Sequence, residues 1–162
     1  HGGVYKLWEG DGLAGKGVGL ARIALPGGAL IDLFDTHAQA GYGNPTYRDV
    51  RCKQFYDAAD FVDKARVGTI PAFFVGDMNC RPDSQDYQTA VEKIGLTRTM
   101  NIDSHIDHIF AVHTPHYRFE TIESKQLAKE ITDKGETFSL SDHDGFFSVV
   151  KVAPTESLAA TP

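Results

Sequence analysis

Pro71-Ala72-Phe73-Phe74-Val75-Gly76-Asp77-Met78-Asn79 is the stretch on which the reading of this chain turns. A short apolar run bounded by Pro and Gly has the pattern of a buried central strand. This one delivers a carboxylate and a carboxamide at its C-terminal mouth, and polar groups at such an edge need a reason. Upstream, Gly17 to Leu25 reads as a strand, Pro26-Gly27-Gly28 as a turn, and Ala29 to His37 as a second strand, so a hairpin is expected. Apolar residues fall at odd and even positions of these strands, which implies that both sheet faces are at least partly covered. After the loop from Gly41 to Pro45, Thr46 reads as a helix N-cap. Val50, Phe55, Ala58, Phe61, Val62 and Ala65 then recur at helical spacing. Downstream, Asp83 or Ser84 can cap a second helix running to about Lys93 and stopping at Gly95. His105 to Val112, Tyr117 to Glu123 and Gly145 to Val152 read as further strands.

A chain of 162 residues, 41% hydrophobic, can bury one sizeable core. Residues 1–152 are expected to form one piece of a domain, with 153–162 as a flexible tail. A net charge of -6 disfavours a partner such as duplex DNA, whose affinity comes from neutralising phosphates. No apolar run is long enough to span a bilayer, so the expectation is a soluble or peripheral protein. Cys52 and Cys80 form neither a CxxC pair nor a disulfide framework. The first residue is His1 rather than Met, from which a fragment of a longer protein is expected.

Five short polar stretches interrupt or end the apolar strands: Gly15-Lys16-Gly17, Asp35-Thr36-His37, Gly76 to Asn79, Ser104 to Asp107, and Ser141-Asp142-His143. Carboxylates and an amide oxygen suit a hard cation such as magnesium, and a neutral imidazole takes a proton near pH 7. Metal-assisted phosphoryl hydrolysis fits that inventory. Blander readings compete. Asp77 could begin a turn, Asn79 could cap a loop, Asp142 and His143 could form an exposed turn, and His37 could be a core histidine. Asp107, flanked by Ile106 and Ile109, is the costliest to bury without a partner. Zinc is disfavoured for His105, His108, His113 and His116, because no cysteine lies near to complete a tetrahedral set and alternation parts His105 from His108. Lys16 lacks the glycine spacing of a phosphate loop.

The order Thr36-His37, Gly76-Asp77-Met78-Asn79, Ile106-Asp107-His108-Ile109, Ser141-Asp142-His143 resembles the endonuclease/exonuclease/phosphatase superfamily, with its T-H, G-D-x-N, I-D-x-I/V and S-D-H motifs. Lys16-Gly17, Thr36-His37-Ala38-Gln39-Ala40, and Arg51 with Gln54 are similar to the neutral and bacterial sphingomyelinases within it. Asp11, five residues before Lys16, resembles a paired Asp and Lys of some neutral members.

The resemblance implies a four-layer αββα sandwich of which this chain supplies about the C-terminal half. It implies His143 as general base, Asp107 as its orienting partner, Asp77 beside the water and the metal, Asn79 on a phosphate oxygen or the metal, and Asp142 on the metal. His37 would stabilise phosphoryl charge, and Lys16 would face the substrate. Mg²⁺, or Mn²⁺, is the implied cofactor. A phosphodiester, foremost a sphingolipid headgroup at a membrane surface, is the implied substrate; a nuclease or a non-catalytic remnant are the rival functions. Two further metal ligands of the family, an Asn and a Glu on earlier strands, are not located here. The missing half is expected in the same or a companion chain, and these residues alone are expected to bind metal poorly. No exposed aromatic hairpin for membrane docking is evident, and His116, Tyr117 and Phe119 are the expected docking place.

Overall fold

The computed structural model describes residues 14–102 and 105–155. Asp11, Ser104 and the tail beyond Thr155 lie outside them. The elements run β1 (Val18–Ala24), β2 (Leu30–His37), α1 (Thr46–Ala65), β3 (Ala72–Asp77), α2 (Gln85–Ile94), β4 (Leu96–Arg98), β5 (Asp107–Val112), β6 (Tyr117–Leu127), β7 (Glu130–Asp133), β8 (Glu136–Ser139) and β9 (Gly145–Pro154). A five-stranded sheet has the order β1-β2-β3-β5-β4, so the apolar run of β3 sits in its centre. Only β2 and β3 pair in parallel, joined by α1 as the crossover; the other pairs of this sheet are antiparallel.

Alternation along the strands decides what each face meets. Phe34, Phe74 and Phe110 lie opposite one another on neighbouring strands, all fully buried, and form the floor on which the helices pack. Phe55, Ala58 and Val62 of α1 and Tyr87, Ala90 and Ile94 of α2 complete that core. Phe73 points the other way and meets Phe119 of β6 edge to face, with ring centroids 5.6 Å apart. A second sheet of β6 and β9 therefore covers the opposite face. Among the described residues the layers are helices, mixed sheet, second sheet: an α/β sandwich of the expected class.

Several local expectations shift. Thr46 is the first helical residue rather than the cap, because Asn44 Oδ1 accepts from both its backbone N (3.0 Å) and its hydroxyl (2.8 Å). Ser84 does cap α2, accepting from Tyr87 N, and Gly95 ends it in the left-handed region at φ 72°. Strand β5 begins at Asp107 rather than His105, and β9 runs to Pro154, two residues into the stretch read as tail. Both cysteines are free thiols.

Candidate active site

Register brings the site together. His37 ends β2 opposite Asp77, which ends β3, and Asp77 in turn lies opposite Asp107, which begins β5. Residues directly opposite across a ladder share a face, so these three side chains stand in one row across adjacent strands. The row is on the face that carries Phe73, at the edge of the region covered by β6 and β9.

Gly76 makes the row possible. Its φ is +126°, and a Cβ there would stand 2.0 Å from the Thr36 carbonyl oxygen and 2.9 Å from Asp35 Oδ1. Only glycine permits β2 and β3 to approach so closely just before Asp77. Asn79 is likewise left-handed (φ 51°), a region that Asn tolerates better than most side chains. That conformation turns its amide back onto the site: Nδ2 donates to Asp77 Oδ2 (3.1 Å) and to Ala38 O (3.1 Å), while its backbone N donates to Asp77 Oδ1 (2.8 Å). Both partners of Nδ2 are acceptors, which fixes the amide orientation. Its two hydrogens are spent, and Oδ1 is the atom left to act, an acceptor suited to a cation.

The loop between β8 and β9 supplies the fourth member. Ser141 Oγ accepts from His143 N, which turns the ring inward. His143 Nδ1 donates to Asp107 Oδ2 at 2.8 Å, and Nε2 lies 3.9 Å from Asp77 Oδ2. His37 Nε2 is 3.5 Å from the same Asp77 oxygen, so that atom lies within reach of both imidazoles. The hydrogen bond to Asp107 raises the His143 pKa above the usual imidazole value, against a smaller opposing effect of burial; Asp77 and Asp142 add to the rise. Burial pushes the Asp77 carboxyl above the usual carboxylate range, partly offset by the Asn79 backbone bond. Donor atoms of Asp77, Asp107 and His143 lie within 4.8 Å of one another, a grouping that can hold a cation.

The other expected residues take different places. Asp142 is exposed beside His143 and is outside that group of three, whereas Asp107, read only as an orienting partner, is within it. Lys16 lines a cleft of about 450 Å³ next to the row, together with Thr36, His37, Gln54 and Phe61. Among the described residues the four other histidines enter no group that could hold a metal: His108 is buried and its Nε2 donates to Cys80 O, while His105 packs on the Phe146 ring at 4.4 Å. Of the residues expected to dock, Tyr117 donates to Thr69 O and Phe119 packs on Phe73, and both are partly buried. Elsewhere, β7 and β8 form an exposed hairpin with Ile131 (49% exposed) opposite Phe138 (47%), followed by Leu140 (62%), immediately before Ser141. No expectation from sequence found it, although the Lys134-Gly135 pair that turns it was visible.

A solved endonuclease/exonuclease/phosphatase from Beutenbergia cavernae aligns with a TM-score of 0.52 at 18% identity, over 68% of this chain and 34% of that one. The fold is therefore that of the endonuclease/exonuclease/phosphatase proteins. Within that class the likeness extends to sphingomyelinases. Sphingomyelinase C from Streptomyces griseocarneus aligns at TM-score 0.55 and 16% identity, covering 87% of this chain and 58% of that chain. Beta toxin from Staphylococcus aureus, solved with bound magnesium ions, aligns at TM-score 0.58 and 18% identity over 82% and 57%. In sequence, the whole chain is 28% identical over 188 aligned residues to a Drosophila melanogaster protein that carries the name neutral sphingomyelinase, and it spans 42% of that relative's length. No protein-family model matches the chain.

Proposed function

We propose that the chain is part of a metal-dependent phosphodiesterase that hydrolyses its substrate with an activated water, and that it acts as a sphingomyelinase-type phospholipase C. The observation that carries this reading is the row His37, Asp77, Asp107 closed by His143. Nδ1 of His143 carries its proton toward Asp107, so the neutral ring leaves the Nε2 lone pair facing Asp77. Nε2 takes a proton from a water held beside Asp77 as the water oxygen bonds to phosphorus. The bond from phosphorus to the leaving oxygen breaks, that oxygen takes up a proton from solvent to depart as the alcohol while the His143 imidazolium returns its own to solvent, and the headgroup leaves with the phosphate; no covalent intermediate is needed. Asp107 stabilises the imidazolium that forms, and His37 donates to the phosphoryl oxygens as charge builds on them.

Oxygen donors and a carboxyl raised by burial fit a hard cation, which removes the cost of that buried charge. Asp77, Asn79 through Oδ1 and the nearby Asp142 are the residues here that would hold Mg²⁺ or Mn²⁺, and the ion would neutralise phosphoryl charge. A lipid surface as the place of action is supported by the apolar hairpin joined directly to Ser141-Asp142-His143. The test is release of phosphocholine from sphingomyelin vesicles against nicking of plasmid DNA and release of phosphate from an inositol phosphate, each with magnesium and with chelator. It uses this chain with and without the remaining length of its relatives. Magnesium-dependent phosphocholine release is expected. Nicking alone would make the protein a nuclease, and inertness of the longer form on every substrate would make it a non-catalytic relative.

A further inference from the structure

The loop that follows β2 begins directly after His37, and side chains from elsewhere hold three of the four polar groups of its residues 38 and 39. Ala38 N donates to Asp77 O at 2.8 Å, and Ala38 O accepts from Asn79 Nδ2. Gln39 N donates to Gln54 Oε1 at 2.9 Å, and Gln39 O accepts from Arg51 Nη1 at 2.9 Å. Both of these partners project from α1. Arg51 is fixed in turn by Asp86 at the start of α2, Nε to Oδ2 at 2.5 Å, with side-chain exposures of only 10% and 1%.

Helix packing does not account for this arrangement. A buried ion pair joins two helices at a desolvation cost that apolar side chains would avoid. Gln39 Oε1, Gln54 Nε2 and Asp86 Oδ1 are moreover buried without a hydrogen-bond partner among the described residues. Each such atom is costly, and unsatisfied polar groups in a core call for an explanation beyond stability. What the network does achieve is to fix the two peptides between His37 and the helices, one of which also anchors Asn79.

We infer that Gln54 and Arg51, the latter held by Asp86, are positioning residues that set His37 and Asn79 for catalysis; this rests on the function proposed above. Neither is a member of the row His37, Asp77, Asp107 closed by His143, and both act on it through the Gln39 peptide groups. Gln54 supplies the acceptor for Gln39 N and Arg51 the donor for Gln39 O, so losing either lets the 38–39 peptides drift and with them the His37 ring and the Asn79 amide. Misplacement of that kind reduces turnover rather than binding.

The experiment compares Gln54→Ala, Gln54→Met and Gln54→Glu in the active protein with Cys52→Ala, which alters another contact between α1 and α2, Cys52 Sγ to Thr89 Oγ1 at 3.6 Å, without touching the loop. Gln54→Ala and the near-isosteric Gln54→Met, which guards against a folding defect in the first, are expected to lower kcat by about tenfold or more with KM little changed. Gln54→Glu keeps the acceptor and is expected to retain most activity; Cys52→Ala is expected to leave kcat alone. Amide hydrogen exchange at Gln39 is expected to rise in the first two variants while amides of α1 and α2 stay protected. Unchanged kcat in Gln54→Met, or an equal loss in Cys52→Ala, overturns the inference. A wild-type protein that hydrolyses nothing overturns the proposed function instead, and unchanged Gln39 exchange in Gln54→Met then overturns the positioning role separately.

Discussion

A Cβ built on Gly76 would stand 2.0 Å from the Thr36 carbonyl oxygen on the neighbouring strand, where the backbone has φ of +126°. Neither fault is relieved by moving a flexible side chain, because the obstacle is main chain. Gly76→Ala is therefore expected to lower stability by about 3 kcal/mol or more and to part His37 from Asp77; a urea midpoint equal to that of the wild type would contradict this. At His143 the hydrogen bond to Asp107 is the largest cause of the raised pKa. Since the folded value lies above the unfolded one, the stabilisation from this pair is present in full below the unfolded value and is lost as pH rises through the folded value. Asp107→Asn removes the cause. In chelator-treated protein, an NMR titration of His143 is expected to fall toward the usual imidazole value in that variant, and the loss of stability across this window is expected to shrink with it. Sequence identified both residues by motif, yet it gave Asp107 only the role of orienting partner. Whether a carboxylate also lies within ligand distance of Asp77 depends on strand register, which residue types do not encode.

At the level of elements, the strongest local signals were those with a single physical cause. Pro26-Gly27-Gly28 marked the β1–β2 turn, the run from Ala72 to Val75 marked the central strand, and Ser84 with Gly95 bounded α2. Strand β4, at 3 residues, is too short for any period to show and exists because β5 offers it an edge. The β7–β8 hairpin was hidden for a different reason. Every residue from Glu130 to Ser139 is exposed, so neither face has the burial that writes an apolar alternation into sequence. Its turn is nonetheless well specified, with positive φ at Lys134 (50°) and Gly135 (85°), as a two-residue hairpin turn requires. Ile131 and Phe138 lie side by side on it. Replacing both with Asp is expected to weaken sedimentation with sphingomyelin vesicles by about tenfold or more, since burying each apolar side chain is worth about 1.5–3 kcal/mol. Hydrolysis of a water-soluble phosphodiester is expected to persist; vesicle binding unchanged by the double substitution would remove the hairpin from the account.

For the whole molecule, the parallel β2–β3 pair and the antiparallel β3–β5 pair jointly bring to one edge residues that lie 70 positions apart, from His37 to Asp107, and the β8–β9 loop brings His143 to the same place. That convergence was legible in outline from the order of the motifs. The cost of it was not: a buried Asp77 carboxyl and a clamp of buried polar side chains behind His37 become visible only once the layers are packed. If the four side chains act on one phosphate, those that share a proton must act as a unit. The decisive measurement is the magnesium-dependent kcat for sphingomyelin of the protein at the full length of its relatives, in His143→Ala, in Asp107→Asn and in the double variant. Each single change is expected to lower kcat by about 100-fold or more, with the double variant no slower than His143→Ala alone. Losses that multiply in the double variant, or hydrolysis that survives His143→Ala, would contradict the account.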